Sequence, residues 1–364
     1  MRKSFPGSLN LDNNNFLKSF TRFLVFILKL LSRMFSSSGK DILIISFNNI
    51  GDTILSLHAL KRLSEEEVSV QITVLTYSKF SFLFNKELPG IKFVYVDSTE
   101  FLQGGKIPSM TVIKKARATK CGVVINFSEN PQSVFTMLLS GGRRFHGISR
   151  EAYSTAFDSF KSMRKEPHLI DIYFDAVDSY KIINRKPESW IFPLSTARGK
   201  EIILTPFAGW DEKMWGMKKM ISLAVELSRS FEVNFVVEKG KLSEDIKSSL
   251  VDSSIKITEL KSIDEYAPIL KHAALLVAND TGPVHVAAWF GVPTVAIFGP
   301  TNPNFCKQPG DQHIAINREL NCSPVEFNYC EYGAGRTCPV RECLSRITVD
   351  EVKNVVISHY NKYS

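Results

Sequence analysis

The sequence has 364 residues, enough for two domains of ordinary size, and a formal net charge of +8 at pH 7. Hydrophobic residues make up 44% of the chain, which is typical of a globular protein and excludes a largely disordered one. The positive charge predicts an anionic partner such as a membrane, a nucleotide or a phosphorylated glycan. No long basic run interleaved with aromatic residues supports nucleic-acid binding. Six cysteines are too few for a disulfide scaffold in a chain of this length.

Residues 1–39 are predicted to form a loose polar tail followed by a basic amphipathic helix. In residues 16–35, four cations fall within an arc of about 60° opposite a Phe/Leu face: Lys18, Arg22, Lys29 and Arg33. This pattern is typical of a helix on an anionic bilayer, so we expect peripheral attachment to the cytoplasmic face of the membrane. The four charges argue against a transmembrane span, and no A-x-A cleavage site supports a signal peptide. A helix that packs on the protein's own core is the alternative.

The first half of the chain alternates buried-strand and helix patterns, starting with a strand at residues 41–47. Repeated units of this kind predict a parallel sheet with helices on both faces, in a domain of residues 40–186. The turn after the first strand carries Asn49, Gly51 and Asp52 at the start of a helix. Asp52 is either a helix cap or a carboxylate general base that opens onto a cleft, and the local sequence leaves both interpretations open. No G-x-G-x-x-G follows this strand, which disfavours nicotinamide and flavin dehydrogenases.

A second set of strand and helix patterns occupies residues 200–347. It follows residues 184–199, which contain two prolines and mixed charge and form the predicted domain boundary. Lys213 lies in the loop after the first strand of this half, which places it at the carboxyl edge of the predicted sheet. A loop lysine is usually only solvated, and the position at a sheet edge is what makes this one a candidate.

The segment Asp280–His285 joins two apolar runs that predict buried strands. Thr281 or Gly282 is expected to cap a short helix that begins at Pro283, since proline suits a first helical turn. Such a helix start presents unbonded amides and the positive end of the helix dipole, which together bind phosphates. An ordinary crossover helix with an incidental cap is the alternative, but the cluster of Asp, Thr, Gly and His favours a phosphate site.

Three motifs in the same order give the chain a resemblance to a known family. They are Asn49–Leu55 before a helix, Lys213-x-Trp215 after a strand and loop, and Asp280–Thr301 with its Asp-Thr-Gly, His, Gly-x-Pro and Phe-Gly-x-Thr elements. The chain resembles glycosyltransferase family 9, the ADP-heptose:lipopolysaccharide heptosyltransferases. The resemblance implies an α/β chain of GT-B fold, with two Rossmann-like, doubly wound parallel-sheet domains and an inter-domain cleft. The N-terminal amphipathic helix is an addition to that pattern.

The resemblance also implies roles for residues of the second half. Lys213 would neutralise the diphosphate or hold the donor sugar, and Thr281 and Gly282 would bind the diphosphate through their amides. Asp280 would hydrogen-bond sugar hydroxyls, with His285 supporting the site.

On the acceptor side, Asp52 would be the base that deprotonates the acceptor hydroxyl, in the turn formed by Asn49 and Gly51. Glu244 would correspond to an acidic residue near the nucleotide ribose. An in-line displacement needs a base on one side of the anomeric carbon and stabilisation of the departing phosphate on the other, which agrees with these assignments.

Four cysteines near the C-terminus include no Cys-x-x-Cys pair, so the pattern gives only a weak metal signal. They are Cys322, Cys330, Cys338 and Cys343. A low-probability metal site is one interpretation, and reduced, partly buried thiols of a cytosolic protein are the preferred one. Residues 348–364 are predicted to form a helix that packs back on the first domain.

The sequence therefore predicts an inverting, metal-independent and cofactor-free glycosyltransferase. It would move a heptose-like sugar from a nucleotide diphosphate donor, ADP-heptose by the resemblance, to a lipopolysaccharide core or related glycolipid. One alternative is a nucleotide-sugar epimerase of similar architecture, which would not need a membrane helix. The other is a non-catalytic nucleotide- or carbohydrate-binding protein, which need not retain the Asp52 carboxylate.

Overall fold

The structure, a computed structural model, falls into two compact units that divide between Lys186 and Pro187. It describes residues 15–84, 88, 90–102, 104, 106–162, 168–185, 192–196, 199–325, 328–330 and 338–363. The predicted N-terminal tail up to residue 14 lies outside the described residues, as do positions 186–191, 197 and 198 of the predicted linker.

The N-terminal unit is built on a parallel sheet of six strands in the spatial order β3-β2-β1-β6-β7-β8. The strands are β1 (Ile42–Ser46), β2 (Ile72–Tyr77), β3 (Ile91–Val96), β6 (Val123–Asn126), β7 (Arg144–Ser149) and β8 (Ser159–Ser162), with a small hairpin of β4 (Phe101–Leu102) and β5 (Ile107–Pro108). Its helices are α1 (Asn15–Arg33), α2 (Ile50–Glu66), α3 (Met110–Arg117), α4 (Pro131–Leu139) and α5 (Leu169–Asp178). Every residue of β1 is buried, as expected for a central strand of a sheet covered on both faces.

The C-terminal unit repeats this plan with the strand order β11-β10-β9-β12-β13-β14. The strands are β9 (Ile202–Thr205), β10 (Val233–Glu238), β11 (Lys256–Leu260), β12 (Leu275–Asn279), β13 (Thr294–Ile297) and β14 (His313–Ile316). The helices are α6 (Met217–Ser228), α7 (Glu244–Asp252), α8 (Tyr266–Leu270), α9 (Gly282–Trp289), α10 (Pro303–Cys306), α11 (Glu342–Ser345) and α12 (Val349–Tyr363). The two parallel sheets predicted from the alternating patterns are confirmed.

Both six-stranded sheets change direction at a central strand. In the first, the chain moves from β1 outward to β3 and then returns to β6 on the other side of β1. In the second, it moves from β9 to β11 and returns to β12 on the other side of β9. The carboxyl ends of strands at such a switch point are where open α/β sheets bind ligands. The relevant loops follow β1 and β6 in one unit and β9 and β12 in the other.

Helix α1 lies against the 3₁₀ segment Glu151–Ala156 of its own unit, with Val25 fully buried in the unit's core. The alternative, packing on the protein's own core, thus holds for a narrow seam, while most large apolar side chains of α1 are exposed. Within the described chain, no helix combines the length and apolar continuity that crossing a bilayer requires.

The position of helix α12 differs from the prediction. It packs against α6 of the C-terminal unit, and Val352 and Val356 are fully buried in that unit's core. His359 Nε2 lies 2.9 Å from the carbonyl oxygen of Gln312 in the same unit. The helix was predicted to pack back on the first domain, but its apolar stripe covers the edge of the C-terminal unit's core beside α6.

Gly291 ends α9 in a left-handed conformation, with φ of +73°. Its N–H donates to the carbonyl of Ala288, and Val292 N–H donates to Ala287, so the last turn is closed in the manner of a helix C-cap. A Cβ at this position would lie 2.4 Å from the carbonyl oxygen of Pro193. The C-terminal end of α9 therefore requires glycine, because the backbone is left-handed there and a side chain would overlap Pro193.

We expect Gly291→Ala to lower the free energy of unfolding by at least about 1–2 kcal/mol, the cost of a left-handed non-glycine residue, with the backbone overlap adding to it. Urea denaturation of the full chain measures this difference. Gly209→Ala in the same unit is the matched control, because a Cβ there meets no atom within 4 Å and the backbone is not left-handed. Equal losses in the two variants would contradict the prediction.

Candidate functional site

The site in the C-terminal unit begins at Asn279, the last residue of β12. Its side chain is fully buried, donates from Nδ2 to the carbonyl of Pro206 at 2.6 Å, and accepts at Oδ1 from the Trp215 N–H at 2.9 Å. Pro206 and Trp215 are the two ends of the loop that follows β9. One amide side chain therefore closes this loop on the neighbouring strand and fixes the position of Lys213 within it.

Lys213 forms a salt bridge with Asp280, the residue after Asn279. The Lys213 ammonium and the Thr301 hydroxyl both donate to Oδ2 of Asp280, the latter at 2.8 Å. The Lys213 and Asp280 side chains are 13% and 5% exposed, so the pair is largely removed from solvent. The Lys213 ammonium also lies 4.7 Å from the ring centroid of Trp210, within the range of a cation–π contact.

The electrostatics of Asp280 follow from this packing. Burial by itself raises the pKa of this carboxyl. The charges of Lys213 and His285, with hydrogen bonds from Lys213 and Thr301, outweigh burial and leave the pKa below its usual value. Asp280 is therefore an anion at neutral pH, and the site combines a cation and an anion at the carboxyl edge of the sheet.

Helix α9 starts directly beside this pair. Thr281 is its N-cap in extended backbone, without a side-chain cap hydrogen bond, and Pro283 lies in the first turn. Proline has no amide to satisfy there, and the Val284 N–H donates to the Thr281 carbonyl at 3.1 Å. Residues 283–289 are all buried, which fixes the helix axis and the direction of its dipole. The helix thus starts at Gly282, one residue before the predicted start at Pro283.

His285 is buried on the first turns of α9, and Gln308 Nε2 lies 2.8 Å from its Nδ1. The Gln308 side chain is buried as well, and its Oε1 has no hydrogen-bond partner among the described residues. The charge of His285 contributes to the lowered pKa of Asp280.

Glu244 does not join this network. It is the first residue of α7, its side chain is 87% exposed, and Lys247 lies 3.0 Å away on the next turn.

In the N-terminal unit, Asp52 lies in the first turn of α2, after β1 at the sheet's switch point. The helix begins at Ile50 with Asn49 as its N-cap, so the alternative that Asp52 is the cap is wrong. Gly51 and Asp52 are half-buried. Burial, with smaller contributions from the charges of Asp52 and Glu129, raises the pKa of Tyr173 well above its usual value. A neutral phenol of α5 therefore lies near the two carboxylates.

The C-terminal cysteines lie in one region. Burial and the charges of Cys330, Cys322 and Cys338 raise the pKa of the Cys343 thiol to about 11. All four are free thiols. Among the described residues, no group of three or more His, Cys, Asp or Glu side chains is arranged to hold a metal ion.

Sequence reasoning assigned no role to Asn279, Thr301, Gln308 or Trp210. A buried polar residue that ends an otherwise apolar strand, as Asn279 does, was the one available signal, because such a side chain needs hydrogen-bond partners. The contacts of Thr301 with Asp280 and of Gln308 with His285 span more than 20 positions and depend on how β13 and α10 pack.

Comparison with known proteins agrees with this arrangement. The family model for glycosyltransferase family 9 (heptosyltransferase) matches residues 136–333, just over half of the chain. Lipooligosaccharide heptosyltransferase 2 of Campylobacter jejuni is 23% identical over 339 residues, covering 84% of this chain and 95% of that one.

Solved structures give the same result for the fold. The glycosyltransferase family 9 protein of Veillonella parvula aligns with a TM-score of 0.68 at 18% identity, covering 91% of this chain and 99% of that one. The E. coli heptosyltransferase WaaC with ADP-2-deoxy-2-fluoro heptose aligns with a TM-score of 0.62 at 15% identity, covering 87% and 99%.

Two Rossmann-like domains, the second with a charged site at its switch point, give the chain a GT-B fold. The chain belongs to glycosyltransferase family 9, the heptosyltransferases. The predicted fold class and enzyme class are confirmed, and the epimerase and non-catalytic alternatives are not favoured. The family match begins at residue 136, so it does not include Asp52.

We expect Asp280→Asn to lower the free energy of unfolding at neutral pH by about 3 kcal/mol, because it leaves the Lys213 ammonium without its buried partner. The folded-state pKa of Asp280 is lowered, so its stabilisation is present above the ordinary carboxyl pKa of about 4 and is lost as the pH falls through the lowered value. The difference between parent and variant should therefore shrink in acid. Urea denaturation at a series of pH values measures it.

The exposed Asp252 at the end of α7 provides the control, Asp252→Asn. This variant should show little loss at any pH. A deficit in Asp280→Asn that stays constant down to the acid limit would contradict the ion-pair interpretation.

We expect Asn279→Ala to cost about 2 kcal/mol of stability, because it leaves a buried N–H of Trp215 and a buried carbonyl of Pro206 unpaired. Faster hydrogen exchange at the Trp215 amide is the specific measurement, alongside urea denaturation. Asn321→Ala, at an exposed turn position, is the control and should change neither value appreciably. Unchanged exchange at Trp215 would show that Asn279 does not hold the loop.

Proposed function

We propose that this enzyme transfers a heptose-like sugar from a nucleotide diphosphate donor, ADP-heptose in the first instance, to a lipopolysaccharide core or related glycolipid. The observation that carries the proposal is the Lys213–Asp280 pair beside the start of α9. A departing diphosphate needs positive charge and backbone N–H donors, and this corner of the unit offers both. The solved relative with an ADP-heptose analogue supports the choice of donor.

In the proposed donor site, the diphosphate lies at the amides of Thr281 and Gly282, with the Lys213 ammonium as its counter-charge. Among the described residues, Lys213 and Thr301 both contact Asp280 at Oδ2, so we assign Oδ1 to a hydroxyl of the donor sugar. His285 holds the start of α9 in place through Gln308. Glu244 is proposed as a ribose contact, on the family pattern.

Asp52 is proposed as the general base that removes the proton of the acceptor hydroxyl, in the turn formed by Asn49 and Gly51. Its place after β1, at the switch point, supports this role. The acceptor oxygen then attacks the anomeric carbon, the bond from that carbon to the diphosphate oxygen breaks, and the anomeric configuration inverts. The diphosphate leaves as an anion stabilised by Lys213, so these residues account for the reaction without a metal ion.

Membrane attachment at the inner face of the cytoplasmic membrane, through residues 16–35, is proposed as part of this function. A glycolipid acceptor is anchored in a bilayer, and an enzyme held at the same surface meets it at higher local concentration. The exposed apolar side chains of α1 support this part of the proposal.

The test is heptosyl transfer from ADP-heptose to a heptose-free lipopolysaccharide core, followed by mass spectrometry of the product. We expect Asp52→Asn to reduce kcat by about 10²–10⁴, the usual contribution of a general base, while the Kd for ADP changes no more than a few-fold. Transfer should be restricted to the ADP-linked sugar when UDP-linked sugars are offered at the same concentration.

Glu65→Gln on the same helix is the matched control, because this carboxylate pairs with Arg62 near the opposite end of α2. It should leave kcat unchanged. Full transfer activity in Asp52→Asn would sink the base assignment, and absence of any product from ADP-heptose with the parent enzyme would sink the donor assignment.

A further inference from the structure

The basic stripe of α1 is turned toward the protein. The Lys18 ammonium pairs with Glu151 at 2.6 Å, and the Lys29 ammonium pairs with Asp158 at 2.8 Å. Arg33 also pairs with Asp158. Three of the four cations of the stripe are therefore paired with two acidic residues of one short segment between β7 and β8, and the fourth, Arg22, is exposed.

Further contacts between α1 and residues 155–157 fix the rotation of the helix about its axis. Lys29 donates to the carbonyl of Phe157 at 2.6 Å, and the Thr155 hydroxyl donates to the Arg22 carbonyl at 2.5 Å. Burial raises the pKa of Asp158, but hydrogen bonds from Lys29 and the Phe145 amide, with the charges of Lys29 and Arg33, lower it overall. The ionised Asp158 and the Phe157 carbonyl hold Lys29, which is only 8% exposed.

The opposite side of α1 is a continuous apolar face. Its side chains are between 37% and 80% exposed: Phe16, Phe20, Phe23, Leu24, Phe26, Ile27, Leu30, Leu31, Met34 and Phe35. They extend along the whole helix and just beyond it, a length of about 28 Å for the helix itself. Protein interfaces carry about one hydrogen bond per 100–200 Å², and these ten side chains offer no donor or acceptor. Hydrocarbon is the partner that requires none.

Exposed cations from outside α1 lie beside its C-terminal end. Ser37, four residues after the helix, donates from its N–H to Gly141 and from its hydroxyl to the Lys120 carbonyl. The Arg117 side chain and the Phe35 carbonyl lie 3.7 and 3.9 Å from the Cβ position built at Gly141. We call the exposed side chains here the basic collar: Arg117, Lys120 and Arg143.

We propose that α1 is a rigid lipid-insertion face of the N-terminal unit, whose apolar side enters the hydrocarbon boundary of a bilayer while Lys18, Lys29 and Arg33 stay paired with Glu151 and Asp158. The basic collar, and not the stripe, supplies the contacts with anionic headgroups. This proposal rests on the membrane attachment proposed above and adds its direction. Because apolar burial supplies most of the binding energy, attachment persists on uncharged lipid and in high salt.

Flotation of the full-length protein with vesicles tests the proposal, using phosphatidylcholine alone and phosphatidylcholine mixed with phosphatidylglycerol. We expect the parent to float with both, and Phe23→Glu to lose at least about tenfold in partitioning to both, since burial of one Phe side chain is removed and a charge is added. Val68→Glu is the matched control, because Val68 is 86% exposed in the same unit but lies outside α1. It should float like the parent.

Quenching of tryptophan fluorescence measures which side of α1 faces the bilayer. Phe23→Trp should gain fluorescence that lipids with brominated acyl chains quench, whereas Thr21→Trp, at the border of the stripe, should not be quenched. The parent spectrum corrects for the native tryptophans. The double variant Lys120→Gln/Arg143→Gln should reduce the preference for anionic vesicles and leave binding to phosphatidylcholine unchanged.

Several results would overturn the proposal. They are flotation of Phe23→Glu at the parent level, quenching of Thr21→Trp but not Phe23→Trp, or binding confined to anionic vesicles and abolished by salt. A parent that forms a dimer through this face and does not float would assign the face to a second copy instead. Phe23→Glu should retain heptosyl transfer to a water-soluble core fragment, so loss of membrane binding with transfer intact separates failure here from failure of the proposed function.

Discussion

The buried ion pair between Lys213 and Asp280 is the interaction on which the C-terminal unit's site depends. A lysine in a loop has no defined position of its own, and a carboxylate at 5% exposure has no reason to stay ionised. The Lys213 ammonium keeps Asp280 ionised, and the Asp280 carboxylate fixes the position of the ammonium. Thr301 adds a third hydrogen-bonded partner. A buried pair of this kind contributes little net stability, since desolvation offsets most of the attraction. Its value lies in placing a cation at a defined point beside the start of α9.

That placement works because several chain segments meet at one sheet edge. The strand order brings the loops after β9 and β12 side by side, and Asn279 then ties the two ends of the Lys213 loop to the strand that carries Asp280. The helix that follows is buried along its length and stopped by Gly291, so its amino end cannot tilt away. The charge, the amides and the dipole are thus fixed by the fold before any substrate binds, which is the condition for electrostatic stabilisation without reorganisation.

The sequence was enough to predict both parallel sheets and the carboxyl-edge position of Lys213 and Asp280, because strand and helix periods are local and a parallel sheet gathers its carboxyl ends at one edge. It was not enough to predict the partners Thr301 and Gln308, whose contacts depend on packing between distant segments. The predicted position of α12 was wrong for a related reason. An apolar stripe specifies that a helix needs a core, but it does not specify which of two cores receives it.

Helix α1 shows the same limit in a sharper form. Its period separates a basic stripe from an apolar face, and the local sequence contains nothing that decides which side the protein holds. In a helix packed by apolar burial alone, the Phe/Leu face would turn inward and the cations outward. Here Glu151 and Asp158 reverse this orientation of the helix, because they pair with its cations from more than a hundred positions away in the chain. Three ion pairs, each weak by itself, are sufficient to hold the helix in this orientation. Their acidic partners share one short segment, and the buried Val25 packs on the same side. The result is a helix in which Lys18, Lys29 and Arg33 are paired within the protein, while the apolar side is left exposed.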